Sequence, residues 1–166
     1  MFSNSEVADV LEKAADLYES EKVEWCKNRW GEPSRGDDGQ VWISACAATA
    51  LGLAAGLGVH VAGVIDGIVL FGCSDDTITR EVDAHISERL DCEWVVTMTK
   101  NFGYDTVLGF TPEAVRLYRQ ARAEVEKLTH EKYWSSTLPN FNDGPNGTKE
   151  VVIDLFKETA KDLRNA

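Results

Sequence analysis

Cys46 is the residue whose type and setting best suit covalent chemistry. It opens the run Cys46-Ala47-Ala48-Thr49-Ala50-Leu51, whose composition favours a helix. A cysteine in the first turns of a helix has its thiolate favoured by the helix dipole, as a nucleophile requires. His85 or His60 would then serve as base, and Asn142 or Asp143 would orient the imidazole. That constellation, Cys46 with His85 and Asn142, belongs to a cysteine-dependent hydrolase or transferase. The small apolar residues around Cys46 point the other way, to a buried and inert thiol, and that is the expectation preferred here.

No metal site is expected. The four cysteines, Cys26, Cys46, Cys73 and Cys92, lie 20, 27 and 19 residues apart, and the three histidines are His60, His85 and His130. Structural zinc normally shows a close Cys-x-x-Cys or His-x-x-x-His pair, which is missing. Asp83 and His85 are two apart and would point to different faces of a helix. No phosphate loop, dinucleotide fingerprint or Gly-x-Ser-x-Gly occurs, and no cofactor is expected. Five tryptophans, Trp25, Trp30, Trp42, Trp94 and Trp134, are many for 166 residues. Trp25 and Trp30 flank a charged turn and are the candidate binding residues.

The elements that must position these groups read as mostly helical. Ser3 and Glu6 form a capping box, Phe2 and Val7 a hydrophobic staple, and apolar spacing predicts a helix over 4–22. Residues 31–39, with three glycines and a proline, predict a loop. Helices follow over 40–55, 59–71 and 76–90. Glu93 to Thr99, with Trp94, Val95, Val96 and Thr97, suits a short strand that would pair with residues near 106–110. Thr111-Pro112 starts a further helix reaching Tyr133. Residues 135–147 read as a turn-rich loop with two positions suited to positive φ, and Thr148 caps the last helix, with Val152, Leu155, Phe156 and Leu163 inward. The expected fold is mainly α, five to six helices around one core in a single domain over 1–166, with scope for one small β-hairpin.

Charge narrows the partners. The net charge is −11, and residues 1–100 carry −10 of it (18 acids, 8 bases), whereas residues 101–166 balance at −1. Such a field repels phosphates, which argues against direct nucleic-acid or membrane binding and favours a basic protein partner. Residues 57–72 are too short for a bilayer span and contain Asp66. Met1 to Val10 lack an apolar signal region, and the unpaired cysteines suit a reducing compartment, so a cytoplasmic location is expected.

Trp25-Cys26 after the first helix, the Cys46 run, and Phe141-Asn142-Asp143 before the last helix are three motifs in a recognisable order. Their order resembles an uncharacterised family from actinobacteria and their phages, marked by Trp-Cys, Cys-Ala-x-Gly-Ala-Leu and Trp-Asn-Asp. Here Thr49 stands for the family's glycine and Phe141 for its tryptophan. The resemblance covers both ends of the chain and implies a phage or actinobacterial origin. With charge and the absence of a catalytic signature, the function expected is that of an accessory protein that binds another protein.

Overall fold

The computed structural model describes residues 1–21, 23–29, 31, 33–35, 41–56, 59–62, 67–69, 105–108 and 112–166. Among them the chain is mainly helical, as its periodicity predicts, with five helices and six short strands. The order is α1 (Asn4–Glu19), β1 (Val23–Trp25), β2 (Pro33–Arg35), β3 (Val41–Ala45), α2 (Ala47–Ala54), β4 (Val59–Ala62), β5 (Gly67–Val69), β6 (Asp105–Leu108), α3 (Pro112–Tyr133), α4 (Leu138–Asp143) and α5 (Lys149–Arg164).

Helix α1 begins where its sequence says it must. Ser3 accepts a bond from the Glu6 N–H at 3.1 Å, and the Glu6 carboxylate accepts one from the Ser3 N–H at 2.8 Å. Phe2 packs partly buried against the core and Val7 is fully inside. Gln120 on α3 holds the Phe2 peptide from both sides, accepting from its N–H and donating to its carbonyl. Because this amino terminus is tied down, Ser3→Ala should lose about 0.5–2 kcal/mol of stability, read from the urea midpoint.

The inner face of α1 buries Val7, Leu11, Ala14, Ala15 and Tyr18. Each large apolar side chain taken from water contributes about 1.5–3 kcal/mol. Helix α5 lies antiparallel beside it: Arg164 reaches Asp9 and Glu12 near the start of α1, and Lys157 reaches Glu19 at its end. These exposed ion pairs set alignment more than stability. Thr148 caps α5 by accepting from the Val151 N–H, and Val152, Leu155 and Phe156 are buried, with Leu163 half-buried beside them.

The middle of the amino-terminal half departs from the expected pattern. Residues 40–55 are not one helix: Val41 to Ala45 form a strand, and the helix starts only after Cys46. A β-branched and aromatic run prefers a pleated surface, so the alanines alone remain helical. Strand β3 is the centre of a three-stranded sheet, parallel to β1 and antiparallel to β2. Within the helix expected over 59–71, Val59–Ala62 and Gly67–Val69 instead form β4 and β5, an antiparallel pair in which Val59 faces Val69. β-Branched density and glycine outweigh the apolar spacing there. Strand β6 pairs with β4; residues 93–99, expected to pair with it, lie outside the described residues, as does the helix expected over 76–90. The loop expected over 135–147 contains α4, whose start is capped by Thr137 accepting from the Asn140 N–H.

Candidate functional site

The three motifs meet. Strand β1 delivers Trp25 and Cys26, the end of β3 delivers Cys46, and α4 delivers Asn142 and Asp143. Register explains the first meeting: Trp25 pairs with Ala45 across the parallel strands, and the Cys26 N–H donates to the Ala45 carbonyl. The next rung therefore sets Cys26 beside Cys46.

Asn142 joins the third piece to the other two. Its side-chain oxygen accepts from the Trp25 indole at 2.7 Å and from the Ala47 N–H at 2.9 Å. Its amide nitrogen donates to the Cys26 carbonyl and to the Asp143 carboxylate, both at 3.0 Å. An asparagine side chain offers two acceptor and two donor positions, and all four are used. The bond to Ala47 caps the first turn of α2 from 95 residues away. Asp143 also accepts from the Asn28 N–H at 2.7 Å, and Lys27 donates to the Gly144 carbonyl at 2.8 Å. Asn28 takes a φ of 64°, a left-handed value that asparagine tolerates better than most residues.

A cleft of about 250 Å³ opens beside this junction, lined by Asn28, Arg29, Cys46, Pro139 and Asp143. Cys46 stands at the start of α2 with its sulfur 3.4 Å from the Thr49 hydroxyl. Burial pushes its thiol upward in pKa, against hydrogen bonds from Thr49 and the Ala48 N–H that pull it down. Burial also raises Cys26, to about 11, and the Tyr18 hydroxyl, which donates to the Ala45 carbonyl at 2.8 Å. All three groups are held neutral at physiological pH.

The expected catalytic constellation does not assemble from what is described. Asn142 has no hydrogen bond left with which to orient an imidazole. No histidine lines the described part of the cleft. His85 lies outside the described residues, and His60 sits on β4 between Ile68 and Val107. His130 lies on α3, its ring 6.5 Å from that of Trp134. Among the described residues, no three His, Cys, Asp or Glu gather as metal ligands would. None of their helices is long and apolar enough to cross a membrane.

Of the candidate binding residues, Trp25 is half-buried with its indole N–H committed to Asn142, and Trp30 lies outside the described residues. Sequence reasoning did not single out Asn28 or Lys27, and it noted Thr49 only as a departure from the family motif. Asparagine and glycine around a turn are the signal for the first, whereas the other two carry none.

The thiols offer a direct check. Cys26, raised about two units above an ordinary thiol, holds about a hundredth of the usual thiolate, and thiolate is the reacting species. Labelling of Cys26 and Cys46 by a thiol reagent should therefore be slow in the native protein and fast in urea. The folded chain holds these protons more tightly than the unfolded one. Stability is thus whole below about pH 9 and falls as pH rises towards about 11. Fast native labelling of Cys46 at neutral pH would contradict this account.

Compared with protein-family models, curated proteins and solved structures, the chain finds no match.

Proposed function

We propose that this chain is a phage or actinobacterial accessory protein that works in the cytoplasm by binding a partner protein with a basic surface. The observation that carries the reading is the complete internal commitment of Asn142. Its four hydrogen bonds tie Trp25, Cys26, Ala47 and Asp143 together, which is the work of a scaffold. The neutral, buried Cys46 beside it supports the same reading. The net charge of −11 favours a basic partner and disfavours phosphate-bearing ones. The order of the three motifs supports the origin.

The test is capture of a partner from actinobacterial lysate by the tagged full chain, followed by binding kinetics. Association should slow as salt rises, since steering between charged surfaces is screened over about 8 Å at physiological ionic strength. Trp30→Ala should mainly speed dissociation, and Trp25→Ala should act likewise once its structural bond is allowed for. A partner whose association ignores salt would remove the basic-surface reading, and thiol-dependent turnover of a substrate would remove the binding reading.

A further inference from the structure

Besides the turn that carries Trp25 and Trp30, the carboxyl-terminal helices supply a second place for the partner. Between α3 and α5 runs a groove of about 260 Å³. Its floor is Leu128 and Leu163, both half-buried against the core. Its walls carry three carboxylates, Glu124, Glu131 and Asp162, and one ammonium, Lys127, which is bonded to Glu124 at 2.9 Å. The groove is therefore apolar below and negative above. Its volume equals roughly eight or nine waters at about 30 Å³ each, room for one or two side chains of a peptide.

Trp134 follows Glu131 by three residues, at the end of the helix that forms one wall of the groove. Among the described residues, Trp134 and Met1 are the large hydrophobics left exposed, Trp134 at 86%. Its indole meets the edge of the His130 ring. Trp134 also ends α3 with a φ of 59°, a left-handed value at which glycine is the usual residue. Its N–H donates to the His130 carbonyl and the Ser135 N–H to that of Thr129, closing the helix end through backbone alone. Nothing in that closure uses the indole. A large apolar ring thus occupies a position where folding favours none, at the end of a helix whose side lines a groove of fixed charge.

We propose that this groove, together with Trp134 at the end of its α3 wall, is the docking surface for a basic amphipathic segment of the partner protein. This rests on the binding reading above. Charge complementarity selects the occupant: lysine or arginine pairs with Glu131 and Asp162, an apolar side chain covers Leu128 and Leu163, and a cation or apolar group lies on the indole face.

The experiment uses the full chain and a fluorescein-labelled helical peptide of leucine, alanine and arginine, with leucines at helical spacing. Glu131→Lys with Asp162→Lys should weaken its binding by about tenfold. Glu150→Lys with Asp154→Lys, the same charge change on the exposed amino-terminal turns of α5, should weaken it by about threefold or less. Trp134→Gly should raise the unfolding midpoint, because glycine suits the left-handed position, and yet speed peptide dissociation. A merely structural tryptophan would not give that combination. Equal losses from the two charge-reversal pairs, or unchanged dissociation in Trp134→Gly, would overturn the proposal. If wild type and the groove variants capture the same natural partner equally well, the binding function stands and this site for it falls.

Discussion

Asn142→Ala should lower stability by about 3–5 kcal/mol, a large share of the roughly 5–15 kcal/mol that holds a typical domain folded. Truncation leaves the Ala47 N–H and the Cys26 carbonyl without their partner in a buried setting, and strips the Trp25 indole of its acceptor. Each buried polar group left unsatisfied costs about 1–3 kcal/mol. Asn142→Asp should be no rescue. It keeps an acceptor for Trp25 and Ala47 but sets a second oxygen against the Cys26 carbonyl and the Asp143 carboxylate, where the amide had donated. Urea unfolding followed by tryptophan fluorescence reports the loss, and Trp25 should change its emission in the native baseline. A loss below about 1 kcal/mol would mean that water enters the junction and replaces the amide.

Gly147→Ala should lose about 3 kcal/mol for a different reason. A Cβ at Gly147 would fall 2.0 Å from the Asn142 carbonyl oxygen, 2.6 Å from its carbon and 2.7 Å from the Phe141 oxygen. All three atoms are backbone and cannot swing aside as a side chain would, so the turn between α4 and α5 must open. Gly144→Ala meets the Asn140 oxygen at 3.0 Å and the Phe141 oxygen at 3.5 Å, and should cost clearly less. The order of the urea midpoints, wild type above Gly144→Ala above Gly147→Ala, is the measurement. Opening the turn displaces Asn142, so the double variant Asn142→Ala with Gly147→Ala should lose less than the two single losses added. Strict additivity would show that the turn and the asparagine act independently. These glycines also correct a sequence expectation. The turn-rich stretch suggests positive φ, yet neither glycine has it, and close backbone approach is what excludes a side chain at Gly147.

What the sequence alone determined here is local. The capping box at Ser3 and Glu6, the Thr148 cap and the apolar stripes of α1, α3 and α5 are legible because their partners lie within a turn or two. The mainly helical class follows from them. The same reasoning took Val41 to Ala45 for helix because strand β3 exists through its pairing with β1 and β2, whose residues lie elsewhere in the chain. The three motifs could be picked out as unusual residues, but not what they do together. Asn142 reaches Trp25 across 117 positions, Cys26 across 116 and Ala47 across 95. Only the tertiary structure turns an apparent ligand-orienting asparagine into an internal tie. It likewise decided that Trp25 spends its indole N–H inside while Trp134, exposed at a helix end, keeps its ring outside. Tryptophan is compatible with core and interface alike, and which one it serves depends on what the rest of the chain brings to cover it.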